Sequence, residues 1–270
     1  ELLKGISEVG ELAEVALTLL PCPLESARVA EGAGVLVRGA VDGFLVYSIP
    51  EGHPAIDTVL SRRLPLVFID TPNPDGLPRV GIRDRKAARE VADHLLSHGY
   101  RQVGILVDRL VPDGRGGTVD AARVKAARDH VMRERMAGYV AACRKHKVPW
   151  RSVRVVEAGG FDYERACAAA EQLLAAEPVE AIIAASDLMA LAAIDVAHKH
   201  GLRVPDDVAV VGFDDIPAAK AAGLTTVRQP LVDKGRLAAR LLLDIIDGKP
   251  GREIILPTEL VVRGTCGAAH

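Results

Sequence analysis

Short apolar segments alternate with amphipathic helical segments along most of this 270-residue chain. The apolar segments of its first part are rich in Val, Ile and Leu and end at turn residues, as buried strands do; they are 15–20, 43–47, 65–70 and 103–107. Between them, 53–63 and 86–98 carry apolar residues at helical spacing. Strands that alternate with helices in this way lie parallel and are connected by right-handed crossovers. The pattern therefore predicts an α/β fold with parallel sheets.

The second part of the chain repeats this design. Helical segments separate its apolar strand segments, which are 153–157, 181–185, 208–212 and 254–262. Two α/β halves of about 110–130 residues are typical of two domains, so we expect two lobes with a cleft between them. Residues 110–131 interrupt the order, because 112–117 has the composition of a loop and 121–131 could form a short basic helix.

The charge balance argues against direct nucleic-acid binding by this chain alone. Lys and Arg number 34 and Asp and Glu number 36, which gives a net charge of −2 and a pI of about 6.5. Nucleic-acid-binding domains usually carry a basic excess instead. Four scattered cysteines without a CxxC pair are typical of a reduced, cytosolic protein. Because no uncharged apolar run reaches about 18 residues, we predict no membrane span.

Carboxylates follow the predicted strands at their carboxyl ends. Asp70, Asp108 and Asp214 come directly or almost directly after apolar runs, and Asp187 lies just beyond another. In parallel α/β sheets, ligands bind outside these strand ends, and carboxylates accept hydrogen bonds from hydroxyl-rich ligands. The alternative for each residue is a helix cap or an Asx turn. Ser186 or Asp187 is placed to cap a helix, and so is Asp84.

An arginine and an aromatic residue are further candidates. Arg135 begins a helical segment, where its guanidinium could bind ligand hydroxyls or a carboxylate through paired donors. The alternative is a surface arginine. Phe161 follows two glycines in a chain whose aromatic content is only 3%, and it could stack on a ring-shaped ligand. The alternative is a buried anchor for its loop.

The motifs of common enzymes are absent from the sequence. No P-loop, nucleophile elbow or HExxH is present, and Gly32-Ala33-Gly34 lacks the rest of a dinucleotide fingerprint. His94 and His98 lie one helical turn apart and could bind a metal, but the sequence offers no evident third ligand. A solvated helix end, where His suits the dipole, is the preferred interpretation. We therefore predict no catalytic residue, no metal and no cofactor.

Several motifs together resemble the effector-binding region of the LacI family of bacterial transcription regulators. The most specific are GLRVPDDVAVVGFDD at 201–215, LTTVRQP at 224–230 and ELVVRGT at 259–265. Also similar are RMAGY at 135–139, ASDLMAL at 185–191 and VDGFLV at 41–46. The resemblance covers nearly the whole chain, and the combination of motifs is specific.

The resemblance implies a periplasmic-binding-protein-like fold of type I, with two Rossmann-like lobes joined by three crossovers. The matching segments assign 1–108 plus 231–250 to the N-terminal lobe and 109–230 plus 251–270 to the C-terminal lobe. Family members bind a small effector, often a sugar or nucleobase, in the cleft and usually act as homodimers. Effector binding changes how an N-terminal helix-turn-helix contacts operator DNA. We expect that head, and the family's first strand, to precede Glu1.

The resemblance also implies a set of ligand-binding residues. Arg135 and Asp214 would form a polar clamp, Phe161 would stack on the ligand, and Gln229 would contact either the ligand or a hinge. The complete expected set is Asp84, Arg135, Phe161, Ser186, Asp187, Asp214 and Gln229. Ser186 stands where the family often has Asn or Thr, which leaves the identity of the ligand open.

A cytoplasmic, ligand-responsive transcription regulator of the repressor type is the leading hypothesis. An exported sugar-binding protein of an ABC transporter shares the fold and is the alternative, and it would carry a signal peptide upstream. An enzyme acting on a sugar or nucleotide in the cleft is a third hypothesis, but no nucleophile–base pair or metal set supports it. Residues 110–133 exceed the usual length of this crossover and could be a lid, a dimer contact or a disordered loop.

Overall fold

The computed structural model describes residues 1–9, 15–22, 39–72, 76–176 and 178–267. Within these ranges the helices are α1 (Leu2–Ser7), α2 (Pro54–Ser61), α3 (Asp84–Ser97), α4 (Ala121–Lys125), α5 (His130–Lys145), α6 (Tyr163–Ala175), α7 (Asp187–Lys199), α8 (Pro217–Ala221) and α9 (Leu231–Ile246). The strands are β1 (Phe44–Tyr47), β2 (Leu66–Ile69), β3 (Arg79–Ile82), β4 (Val103–Val107), β5 (Gly117–Thr118), β6 (Val153–Glu157), β7 (Ala181–Ala184), β8 (Ala209–Val211), β9 (Thr226–Arg228), β10 (Glu253–Leu256) and β11 (Glu259–Val261). Within the same ranges, short 3-10 turns are formed by Trp150–Ser152 and Gly264–Cys266. No helix in the described ranges combines the length and the apolar character needed to cross a bilayer.

The first of two compact units contains a parallel sheet with four strands in the described residues. The unit comprises Glu1–Ile82, Arg128–Val131 and Pro230–Pro257. Its strand order is β1-β2-β3-β10, so a strand from late in the chain pairs with β3. Apolar side chains of the sheet pack against α9; they are Val67, Ile69 and Val80, with Ala238 and Leu241 from the helix. This burial of apolar surface is the main stabilising contribution to the unit.

The second unit is built on a five-stranded sheet. It comprises Arg83–Ala127, Met132–Gln229 and Thr258–His270. The strand order is β5-β6-β4-β7-β8, and every pair is parallel except β5 with β6. The central strand β4 is buried along its whole length, as expected for a parallel strand with neighbours on both sides. Since β4, β6, β7 and β8 run parallel, their carboxyl ends meet at one edge, here called the carboxyl edge of the second sheet.

Most of the predicted strands are confirmed to within one residue at each end. They correspond to β1, β2, β4, β6, β7 and β8. The single strand predicted over 254–262 is wrong, because the structure divides it into β10 and β11, which pair with different partners. Pro257 lies between them and has no N–H to donate to a strand ladder. The apolar pattern of the sequence does not predict β3.

The strand predicted over 15–20 is also wrong. Residues 15–22 have no regular secondary structure, and Val15, Leu17 and Leu19 are 49%, 54% and 61% exposed. A strand is stable only when a neighbour pairs with its N–H and C=O groups. None of the strands in the described ranges pairs with this segment. Apolar composition alone therefore did not determine its conformation.

The two units divide the chain differently from the predicted lobes. Residues 83–108, assigned above to the N-terminal lobe, belong to the second unit because β4 pairs with β6 and β7. Residues 251–257, assigned above to the C-terminal lobe, belong to the first unit because β10 pairs with β3. Strand pairing thus determines the boundaries. The chain crosses from one unit to the other near residues 82, 229 and 257, and Arg128–Val131 is a short additional segment of the first unit.

Residues 110–127 extend the second sheet and are not a disordered loop. β5 adds an antiparallel edge strand to β6, and Asp120 caps α4 by accepting a hydrogen bond from the Arg123 N–H at 2.7 Å. The Arg123 guanidinium donates to both carboxylate oxygens of Asp113, at 2.9 and 3.0 Å, and also to Glu157. These contacts fix the segment onto the sheet. A lid or a dimer contact stays a prediction.

Candidate ligand-binding site

The ligand-binding residues predicted above all belong to the second unit, and most follow the ends of its parallel strands. The loop after β6 carries Phe161, β7 leads into Ser186 and Asp187, β8 leads into Asp214, and β9 leads into Gln229. Helix α3 begins at Asp84, and α5 carries Arg135. The carboxyl edge of the second sheet is the place where α/β sheets bind ligands.

Arg135 is the centre of a buried polar group. Its Nε donates to Asp84 Oδ1 at 3.0 Å, and its Nη1 donates to the carbonyl oxygen of Ala185. Nη1 also lies 3.8 Å from Asp214 Oδ1. The guanidinium lies over the ring of Phe213, with 3.6 Å between Cζ and the ring centroid. Because the side chain is 6% exposed, the surface-arginine alternative is wrong. The structure brings Asp84, Arg135 and Asp214 together.

The electrostatics of this group keep Arg135 charged. Burial disfavours its charge, but the carboxylates of Asp84 and Asp214 outweigh burial and raise the pKa of the guanidinium. Asp84 does not cap α3 as predicted, because Arg83 is the N-cap residue and makes no side-chain capping bond. The Asp84 carboxylate binds Arg135 instead. A guanidinium held by carboxylates and a stacked ring keeps one orientation, which suits it to directional hydrogen bonding.

Tyr139 is a further candidate residue, which the sequence alone does not single out. It lies one helical turn after Arg135, is completely buried, and its hydroxyl has no hydrogen-bond partner in the described structure. Burial raises the pKa of this hydroxyl, and the nearby Asp108, Asp214 and Asp84 raise it further, whereas Arg135 opposes them. A buried hydroxyl without a partner costs free energy. The spacing of four residues from Arg135 was the available signal, since such pairs share a helix face.

Asp214 and Gln229 are joined by hydrogen bonds. The Gln229 side-chain amide donates to Asp214 Oδ1, and its backbone N–H donates to the Asp214 carbonyl oxygen at 3.2 Å. Asp214 has a φ of 132° and Asp215 a φ of 59°, both unusual for residues with side chains. Arg228 and Arg263 hold the Asp215 carboxylate at 2.7 and 2.6 Å. Strained backbone fixed in this way is concentrated at functional sites.

Ser186 and Asp187 are engaged by the unit's own structure. Ser186 is the N-cap of α7, and its Oγ accepts from the Met189 N–H at 3.4 Å. The Asp187 carboxylate accepts from the Ile216 N–H at 2.9 Å and from the Thr226 hydroxyl. Burial raises the pKa of Asp187, and these hydrogen bonds oppose that shift. Asp187 thereby connects α7 to the segment that follows Asp214, so the geometry favours a structural role for both residues.

Phe161 stands apart from the buried group. Its ring is 61% exposed, so the alternative of a buried loop anchor is wrong. The next residue, Asp162, caps α6 by accepting from the Arg165 N–H at 2.9 Å, which fixes the backbone beside the ring. An exposed aromatic ring on a fixed backbone is available for stacking.

The chain is similar to known transcription regulators over most of its length. Residues 92–266 match the family described as a periplasmic binding protein-like domain. The HTH-type transcriptional regulator Rv3575c of Mycobacterium tuberculosis is 40% identical over 249 residues, which cover 90% of this chain and 68% of that relative. The crystal structure of a LacI-family transcriptional regulator from Corynebacterium glutamicum matches with a TM-score of 0.94 at 30% identity, over 98% of this chain and 79% of that chain. The chain belongs to the LacI family of transcriptional regulators.

Membership of the LacI family confirms the predicted fold class of two α/β lobes. It also favours a regulator over an exported binding protein or an enzyme, since the relatives are named as regulators. A structure of the transcriptional regulator CelR in complex with cellobiose matches with a TM-score of 0.74 at 29% identity, over 89% of this chain and 71% of that chain. Cellobiose is the ligand of that relative.

Proposed function

We propose that this chain is the sugar-sensing part of a LacI-family regulator and that the sugar binds at the carboxyl edge of the second sheet. The observation that carries the proposal is the buried group around Arg135. Its guanidinium is held in place by Asp84 and lies 3.8 Å from Asp214, which is 16% exposed. The guanidinium supplies hydrogen-bond donors and the Asp214 carboxylate supplies acceptors, and a sugar hydroxyl can bond to both. The cellobiose complex of CelR supports the same class of ligand.

In this proposal Phe161 supplies the apolar contact. Its exposed ring would stack on the apolar face of a sugar ring, while Arg135 and Asp214 bind hydroxyls. Ser186 and Asp187 would act indirectly, by fixing the backbone that carries Asp214. Because these two residues would support the backbone, only part of the predicted set needs to contact the ligand.

The regulator would act on operator DNA through a helix-turn-helix outside this chain. The support is that relatives matched along most of this chain are named HTH-type regulators. The net charge of −2 agrees with a DNA contact made elsewhere. We also propose a homodimer that works as a repressor in the cytoplasm and catalyses no reaction. The sugar would shift DNA binding only by its differential affinity for two arrangements of the protein.

Thermal unfolding in the presence of candidate ligands tests the proposal. Cellobiose, ribose and other sugars form one arm of the screen, and nucleosides and nucleobases form the second. A ligand at about 100 times its Kd should add about 2.7 kcal/mol to the free energy of unfolding. We expect a sugar to stabilise the chain and Phe161→Ala to lose that response. A response to nucleobases alone, or to nothing in either arm, would contradict the proposal.

A further inference from the structure

Two histidines and a cysteine from distant parts of the sequence converge in the second unit. His94 and His98 lie at the end of α3, and Cys266 ends the 3-10 turn Gly264–Cys266, 172 residues after His94. One potential ligand atom from each residue lies within 4.8 Å of the other two. The sequence showed the two histidines at helical spacing but no third ligand, and the fold supplies Cys266.

The distances fit a metal centre. The His94 Nε2 and Cys266 Sγ atoms are 3.4 Å apart. Zinc bonds of about 2.0 Å to nitrogen and 2.3 Å to sulfur give a tetrahedral edge of roughly 3.5 Å between those atoms. The same distance also fits a hydrogen bond between a thiol and an imidazole, which is the competing interpretation.

A second observation favours a metal over that hydrogen bond. His98 Nε2 is buried and has no hydrogen-bond partner in the part of the chain that the structure describes. Buried polar nitrogens are almost always satisfied, and a bound metal ion would satisfy one that faces it. The Cys266 sulfur accepts a hydrogen bond from the Thr225 hydroxyl at 3.2 Å and lies 3.7 Å from the carbonyl oxygen of Arg263.

We propose that His94, His98 and Cys266 bind a divalent metal ion of the zinc type. Two imidazoles and a thiolate select borderline metals such as Zn²⁺ or Co²⁺ over Mg²⁺ or Ca²⁺, which require oxygen ligands. Three protein ligands leave one tetrahedral position for water. The ion would fasten the end of α3 to the segment that follows β11. This site is separate from the ligand-binding group, since Asp84 is at the opposite end of α3.

Metal titration of chelator-treated protein tests the proposal. Zn²⁺ affinity is measured by competition with a chromogenic chelator, and Co²⁺ binding is followed by absorption spectroscopy. We expect one equivalent of tightly bound metal and a thiolate-to-cobalt charge-transfer band in the near ultraviolet. Cys266→Ser should abolish that band, and His98→Gln should weaken Zn²⁺ binding by more than the roughly 10-fold minimum seen for outer-shell changes.

Cys167→Ser and His198→Ala are the matched controls, because they remove a cysteine and a histidine outside the group. Both should bind metal like the wild type. If Cys266→Ser does not fold, as judged by circular dichroism, His98→Gln still decides the outcome. Absence of tight metal binding, with His94 and Cys266 joined by a hydrogen bond only, would overturn the proposal. Metal binding that the cluster variants and the controls retain equally would overturn it as well.

Discussion

Replacing Asp84 with Asn should destabilise the second unit through the buried charge of Arg135. The two side chains are 7% and 6% exposed, and their hydrogen-bonded atoms are 3.0 Å apart. Asn keeps the size of Asp but removes the nearer negative charge. Removing one partner of a buried ion pair costs about 3–5 kcal/mol. Asp214 remains 3.8 Å from Arg135 Nη1 and retains part of the attraction. We therefore expect the free energy of unfolding to fall by about 3 kcal/mol, which is the lower limit of that range.

Glu90→Gln is the matched control on the same helix. Glu90 is 45% exposed, and its pair with Lys86 is 3.5 Å long. Exposed pairs of this kind contribute about 0.2–1 kcal/mol, so the control should lose less than about 1 kcal/mol. Urea unfolding at neutral pH, followed by circular dichroism, gives the free energy of unfolding of each variant. Equal losses for Asp84→Asn and Glu90→Gln would refute the argument that burial makes the Arg135 pair critical.

Two further variants test the Tyr139 hydroxyl and the 110–127 segment. Tyr139→Phe removes a buried hydroxyl that has no hydrogen-bond partner among the described residues, so the free energy of unfolding should rise by about 1 kcal/mol; a decrease would show that the hydroxyl is hydrogen-bonded. Hydrogen bonds from Arg123 lower the pKa of Asp113 from 3.8 to about 2, although burial opposes them. At pH values above its ordinary pKa, ionised Asp113 therefore stabilises the folded protein. This contribution is lost as the pH falls through about 2. Asp113→Asn should lower the free energy of unfolding by less than about 1 kcal/mol at pH 7, because the side chain is 33% exposed. At a pH below the lowered pKa of Asp113, the variant and the wild type should be equally stable. Urea unfolding at both pH values measures this, and a difference in stability that does not depend on pH would contradict it.

The parallel sheets could be predicted because their strands are buried on both faces. In a chain of alternating strands and helices, a continuous apolar run such as Val103–Val107 is typical of a buried parallel strand, and β4 begins and ends at the predicted residues. Segment 15–20 has a similar composition but no paired neighbour in the described structure. Strand formation depends on pairing as well as on apolar composition, and pairing is a tertiary property.

The sequence predicts which residues follow the strand ends, but not the contacts that each of them makes. Position at a strand end identified Asp214 and Asp187 alike. Only the structure shows that Asp187 accepts hydrogen bonds from Thr226 and Ile216, while Asp214 lies beside Arg135. Cys266 could not be associated with His94 from the sequence, because 172 residues separate them. Such contacts depend on topology, which local spacing does not encode.

Calorimetric titration with the sugar found by thermal unfolding shows whether the ligand binds at Arg135. Arg135→Lys keeps the positive charge but removes the planar pair of donors. Arg144→Ala, an exposed arginine on the same helix α5, is the control. The loss of a charge-assisted hydrogen bond costs about 1.5–3 kcal/mol, so we predict that Arg135→Lys binds the sugar at least about tenfold more weakly. Arg144→Ala should bind it like the wild type. Unchanged affinity in folded Arg135→Lys would show that the ligand does not bind at this group.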